Sequence, residues 1–295
     1  MTLVSSNEIL SKAYEEAYMV PGCDGWNLES IQAIVDGAQE ARSPIILQVW
    51  AGELDYPGLE YWAPIARIAA SKATVPVAVH LDHGKSLESI AQCIRAGFTS
   101  VHITPPSTIP MEEQIAIVKQ IVDVAHALGV SVEADMGPHP YASQKESARE
   151  SMTEPEKAGR FAEETGLDSL AVSIGNVGGL LESKAELDLD RLREIRKLVR
   201  VPLVLHGGTG VPEDSYSALA KLGIAKICFA SVLWNTMTRS IRETSKTGIS
   251  TSGPFDFHPK NILETARSEV RRLVKHKTTL CGSAGRAVKE GQTPS

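Results

Sequence analysis

The segment VAVHLDHGKSLESIAQCIRAGFTSVHIT, residues 77–104, carries the fold in miniature. Val77–Asp82 is an apolar run of strand length. Leu87–Ala96 then places apolar residues three and four apart, as one face of a helix requires. Gly97 stands where a left-handed residue ends such a helix, and Ser100–Thr104 is again a strand-length run. A strand, a helix and a second strand joined this tightly form a βαβ unit, which pairs its strands in parallel.

The same alternation extends in both directions. Met19–Asp24 and Ile45–Trp50 precede the segment, while Ser131–Met136, Ser169–Gly175, Leu203–His206 and Lys226–Ser231 follow it, making eight strand-like runs. Between them lie the helical patterns Leu28–Ala41, Leu59–Lys72, Ile115–Leu128, Glu156–Thr165, Leu189–Leu198 and Asp214–Leu222. Gly129, Gly166 and Gly223 repeat the role of Gly97. Eight such units predict an α/β protein of the closed (β/α)8 TIM-barrel type, a single domain over residues 1–295 with an extra C-terminal helix at Asn261–His276. An open doubly wound sheet competes, but its dinucleotide-binding form needs a G-x-G-x-x-G after the first strand, and none is present. Two connections exceed what a barrel needs, Gly137–Thr153 and Thr244–Pro259, and the first, polar and rich in serine, is expected to be a mobile lid.

Composition excludes several roles. A net charge of −6 with no basic stripe argues against a nucleic-acid partner. The most apolar long stretch, Ile115–Val132, is interrupted by Lys119, Asp123 and His126, so no membrane span is expected. Cys23, Cys93, Cys228 and Cys281 form no C-x-x-C pair and no leader precedes them, which makes a reducing cytoplasm the expected compartment. The expected partner is a small-molecule substrate.

Barrels of this kind react at the carboxyl ends of their strands, so the polar residues there matter most. Asp82 and His83 end the third run, Glu133 and Asp135 lie on the fifth, and His206 ends the seventh. Imidazoles and carboxylates brought to one rim from different strands suit a divalent ion such as zinc. His80 and His102, two residues below strand ends, read as core histidines. The HGGTG turn at 206–210 lets backbone N–H groups approach an anion, and Ser231 precedes a helix whose N-terminus adds a favourable dipole. A plain glycine turn with Ser231 as a helix cap is the competing reading.

The stretches HLDHGKS, AGFTSV, VSVEADMG, ETGLDSLAVSIGN, PLVLHGGTGVP and the tail GSAGRA resemble the class II, metal-dependent ketose-bisphosphate aldolases over nearly the whole chain. The resemblance implies a carbon–carbon lyase that stabilises an enolate with zinc. His83 and His206 would be zinc ligands and Asp82 the proton-transfer residue. Gly179, Gly207, Gly208, Thr209 and Ser231 would hold the phosphate of a dihydroxyacetone-phosphate unit, with Asp24 also on the substrate. It further implies a homodimer or homotetramer.

Several positions depart from the family pattern. The third metal histidine, expected after the sixth strand, is Gly178; a tyrosine and a lysine nearby are Leu181 and Glu182. A small hydroxyl residue at the end of the second strand is Trp50. On the eighth strand an asparagine is Cys228 and an aspartate is Ala230; on the first, Asp24 replaces another asparagine. Cys228 and Asp135 are therefore the candidates for a third ligand. These changes point away from the usual ketohexose bisphosphate and toward a smaller or less charged carbonyl compound. The alternative is a catalytically altered homologue: an anion-binding or regulatory protein, or a metal-free enolising enzyme.

Overall fold

Eight parallel strands close on themselves in sequence order: β1 (Val20–Asp24), β2 (Ile45–Trp50), β3 (Val77–Gly84), β4 (Ser100–Ile103), β5 (Ser131–Asp135), β6 (Ser169–Ala171), β7 (Leu203–Leu205) and β8 (Ile224–Phe229). The computed structural model describes residues 2–136, 140–143, 151–247 and 258–287. An unforeseen helix, α1 (Ser6–Glu15), precedes the barrel. The outer layer contains α2 (Leu28–Ala41), α3 (Leu59–Lys72), α4 (Leu87–Arg95), α5 (Met111–His126), α6 (Pro155–Thr165), α7 (Leu189–Leu198), α8 (Tyr216–Lys221), α9 (Ser231–Thr247) and the extra α10 (Pro259–Leu280). Ser231 thus opens a helix rather than ending a strand, because β8 begins two residues before the expected run and stops at Phe229. Gly97, Gly129, Gly166 and Gly223 all adopt positive φ, between 68° and 94°, which a Cβ would disfavour. Most of both long connections, and with them the expected lid, lies outside the described residues.

Strand alternation sorts the side chains into two populations. One set, including Leu47, Val79, Leu81, Val101, Val132 and Ile227, faces outward into the main apolar core beneath the helices. The other fills the barrel. At its floor Val20, Ile46, Ala78 and Ala225 pack against Ile9, Leu10 and Ala13 of α1, which plugs the open end. Above that floor the interior turns polar: Gln48, His80, Ser100, Glu133 and Lys226 are all buried. Gly22 makes this layer possible, since a Cβ there would come within 2.8 Å of Lys226 Cε and collide with Gln48 Oε1.

These buried polar groups form a chain. Ser6 Oγ lies 2.7 Å from Ser100 Oγ, which lies 2.6 Å from His80 Nδ1. His80 Nε2 is 3.0 Å from Lys226 Nζ, and Lys226 donates to Glu133 Oε2 at 2.8 Å. The carboxylate thus joins the floor of the barrel to its mouth. Burial favours a neutral Glu133, but Lys226 and His102 outweigh it and hold the carboxyl well below its usual range. No helix among the described residues is long and apolar enough to cross a membrane.

Candidate active site

Successive residues on a strand point to opposite faces, yet Asp82 and His83 must both serve one mouth. The chain resolves this at the end of β3, where the register with β4 shifts between Leu81 and Gly84 and His83 takes φ +53°. A left-handed histidine costs roughly 1–3 kcal/mol and is held only where its surroundings over-determine it. The result is a carboxylate and an imidazole side by side. Three rings then converge: the centroids of His83 and His102 are 4.5 Å apart, of His83 and His206 4.6 Å, and of His102 and His206 5.0 Å.

Asp82 Oδ1 is their common neighbour. It lies 3.9 Å from His83 Nε2, 3.9 Å from His206 Nδ1 and 3.3 Å from His102 Nδ1. One ligand atom from each of Asp82, His83, His102 and His206 lies within 4.8 Å of the others, and these residues are the group that could hold a metal ion among the described residues. The donor set suits a borderline divalent ion such as zinc. The structure therefore places His102 in this cluster, although sequence reading left it in the core. Its inward parity on β4 was legible; what was missing was its height. Opposite Glu133 on β5, it stands level with the reacting rim rather than beneath it.

The electrostatics separate the carboxyl groups. Burial would raise Asp82, but His83, His206, His102 and Lys226 hold it well below the usual range, as a carboxylate that also accepts from Gln48 Nε2 at 3.2 Å. Asp24, equally buried, goes the other way: burial, then Asp82 and Glu53, push it well up. The two environments push the carboxyl groups apart, Asp82 toward the carboxylate and Asp24 toward the protonated acid, an arrangement typical of proton-transfer sites. Burial lowers His83 to about 3 despite Asp82. Burial also works against charge on His102, yet Glu133, Asp135 and Asp82 lift it to about 10.

The cluster opens into a cavity of about 290 Å³ whose lining includes Asp24, Asp82, His83, His206, Gly207 and Thr209. Gly179, Ser231 and Cys228 line it too. Gly208 does not line it; it packs on the Cys228 carbonyl, which a Cβ would approach to 2.7 Å. Gly207 has φ +69° and abuts the Val177 carbonyl, so this turn needs glycine for packing as well as for any anion. Thr209 Oγ1 accepts from the N–H of Val232 at 3.2 Å, tying the turn to the start of α9. Cys228 lies outside the ligand cluster, and burial raises its thiol well above the ordinary range. Asp135 lies behind the rings, 3.3 Å from His102 Nε2 and 3.0 Å from the Thr104 hydroxyl.

Of the departures from the family pattern, Asp24, Trp50, Gly178, Cys228 and Ala230 line the cavity. Trp50 lines the cavity, its indole seated where a Cβ on Gly52 would stand. Tyr141 and Trp234 complete an aromatic wall, and the Trp234 indole N–H is buried with no hydrogen-bond partner among the described residues. Tyr141 pairs with Gly178, and a side chain on that glycine would begin 3.1 Å from the tyrosine ring. Leu180 turns inward onto Val177 and Ala185, while Leu181 and Glu182 are exposed and do not line the cavity.

Comparison with known proteins identifies the family. Residues 4–286 match the family described as fructose-bisphosphate aldolase class-II. A fructose-bisphosphate aldolase of Thermus caldophilus is 38% identical, over 97% of this chain and all of its own length. The YdjI aldolase from Escherichia coli K12 superposes with a TM-score of 0.84 at 32% identity, covering 97% of this chain and 100% of its own. A fructose-bisphosphate aldolase from Campylobacter jejuni, at 20% identity and a TM-score of 0.81, covers 96% of each chain and shares the fold.

Proposed function

This chain belongs to the class II fructose-bisphosphate aldolase family, and from that premise we propose that it cleaves and forms the carbon–carbon bond between the α and β carbons of a phosphorylated ketose smaller or less charged than a ketohexose bisphosphate. The observation that carries the reading is the convergence of the Asp82 carboxylate and rim imidazoles beside the 206–210 turn. His83 and His206 would hold a zinc ion. Bound there, the metal would supply Lewis-acid polarisation of the substrate carbonyl and charge to balance the enolate.

The chain's own groups account for the remaining steps. In cleavage Asp82 takes the proton from the hydroxyl that becomes the aldehyde and passes it to the enolate carbon left by the broken bond; in condensation it removes that carbon's proton and returns it to the aldehyde oxygen. Gln48 and the histidines keep it anionic and aimed into the cavity. Asp24, biased by its surroundings toward the protonated acid, would donate a hydrogen bond to a substrate oxygen. Gly179, Gly207, Thr209 and Ser231 receive the single phosphate, with Gly208 holding the turn in place. Trp50, Tyr141 and Trp234 then enclose the rest of the molecule; they offer apolar surface and one free indole N–H where a second phosphate would need cations.

The test does not require the aldehyde to be known. Zinc-loaded protein in deuterated buffer should exchange a C3 proton of dihydroxyacetone phosphate, followed by NMR, and should cleave fructose 1,6-bisphosphate far below ~10 s⁻¹, a median enzyme rate. No exchange would remove the enolising function. Cleavage near that rate would remove the proposed specificity.

A further inference from the structure

Lys226 takes no part in the steps assigned to the other residues, yet its side chain is wholly buried in the barrel with its stem against Gly22. Taking a charge pair such as Lys226 and Glu133 out of water is costly, and well-packed apolar side chains of similar volume are often as stable. The floor just beneath, Val20, Ile46, Ala78 and Ala225, is filled in that apolar way. The charged layer above it therefore calls for an explanation other than stability.

The hydrogen bonds fix where the protons lie. An ammonium has only protons to give, so Lys226 donates to Glu133 Oε2 at 2.8 Å and to His80 Nε2 at 3.0 Å. His80 then carries its proton on Nδ1 and gives it to Ser100 Oγ, 2.6 Å away. Ser100 donates to Ser6 at 2.7 Å, Ser6 to Ser131 at 2.8 Å, and Ser131 to the Thr99 carbonyl at 3.3 Å. Every donor points away from the ammonium, and the last acceptor is backbone. Turning any one of these groups would leave a buried donor unpaired, so the ammonium is held in place from below.

On its other side the ammonium fixes Glu133. With Oε2 committed to Lys226, Oε1 faces His206 Nε2 at 3.0 Å. A carboxylate only accepts, so that nitrogen carries a proton and donates it. The other ring nitrogen, Nδ1, is the one on the Asp82 side, 3.9 Å from Oδ1. A carboxylate placed behind a histidine in this manner sets both its tautomer and its orientation.

We infer that Lys226 is a positioning residue for the reaction: its ammonium aims Glu133, and Glu133 decides which nitrogen of His206 carries the proton. The inference deepens the proposed reading, from which it takes only that His206 serves the reaction. A neutral amide at position 133 exposes the role of the ammonium. Beside Lys226 the amide oxygen would be claimed by the ammonium, leaving the NH2 to face His206 and driving the ring proton from Nε2 to Nδ1. Without the ammonium the amide is free to turn and accept from Nε2 again.

Isotope-edited NMR of histidine-labelled, metal-free protein in mildly alkaline buffer reads these protons ring by ring. In the unaltered protein His80 should be protonated on Nδ1 and His206 on Nε2. Glu133→Gln should move the His206 proton to Nδ1, and adding Lys226→Met should return it to Nε2. Competition with a chromophoric chelator should show zinc affinity falling about 10–100-fold in Glu133→Gln and recovering severalfold in the double variant, a reversal that lost packing would not produce. His80 protonated on Nε2, or His206 on Nδ1, in the unaltered protein would overturn the inference, and this readout needs no variant to fold. A folded Glu133→Gln protein that keeps the His206 tautomer, or a double variant that does not regain it, would overturn it likewise. Failure of the unaltered protein to bind zinc, with both tautomers as expected, would overturn the metal-dependent reading while leaving the Lys226 assignment standing.

Discussion

On the side of the mouth built by β3, β4, β5 and β7, ring nitrogens and carboxylates meet at 3.0–3.9 Å, and the network runs down through Glu133 and Lys226 to the plug beneath the barrel. On the side built by β1, β2, β8 and the segment after β6, the lining includes Trp50, Tyr141, Cys228, Ala230 and Trp234 beside Asp24, and Gly178 gives its space to a tyrosine ring. On the proposed reading, chemistry belongs to the first side and selectivity to the second. The first side is a coupled network, in which changing one member leaves its neighbours with unpaired buried charge. The second side would meet the substrate mainly through shape, and its apolar members can change one at a time at modest cost.

The largest effect should come from the networked side. Asp82→Asn should lower turnover by about 10²–10⁴, the usual contribution of a proton-transfer group, while the protein stays folded, since the amide can still accept from Gln48. Steady-state rates with zinc-saturated variant and parent check this, and equal rates would remove Asp82 from the mechanism. On the aromatic side the expected change is smaller and opposite in sign. Trp50→Ala should raise kcat/KM for longer aldehydes about tenfold while short ones stay within a few-fold, the range available to a pocket contact. If long and short aldehydes lose activity together, the indole supports the site rather than limiting it.

The smallest effect concerns stability and pH. Burial and then Asp82 push Glu53, in the turn after Trp50, up to about 7, against about 4.3 in an unfolded chain. Between those values the folded protein binds more protons than the unfolded one. The contribution is therefore fully present below about pH 4 and is lost as pH rises through 7. Glu53→Gln in metal-stripped protein should match the parent near pH 4 and exceed it by about 1 kcal/mol at pH 8, a figure reduced because the side chain is only half-buried. Urea denaturation at the two pH values measures it. A difference independent of pH would show that neither burial nor Asp82 shifts Glu53 in the folded protein.

The strand-length runs and the glycines that end the helices were legible in the sequence because both depend on local chemistry: side-chain alternation and the φ each residue tolerates. So were Asp82, His83, His206 and the 206–210 turn, which stand at strand ends where barrels react. Helix α1 went unseen because its apolar face makes sense only against the floor of a closed barrel. His102 lay in the right run with the right parity, yet alternation fixes only the side of a strand a residue faces. The height at which it meets its neighbours is set by strand stagger, here the pairing of His102 with Glu133 and the shift between β3 and β4. Likewise, nothing near Gly178 announces Tyr141, which lies 37 positions earlier and reaches it only through backbone hydrogen bonds across the mouth. The sequence alone determined which residues could do chemistry. Barrel closure decided which of them meet, because distance across a closed sheet depends on stagger and register rather than on separation along the chain.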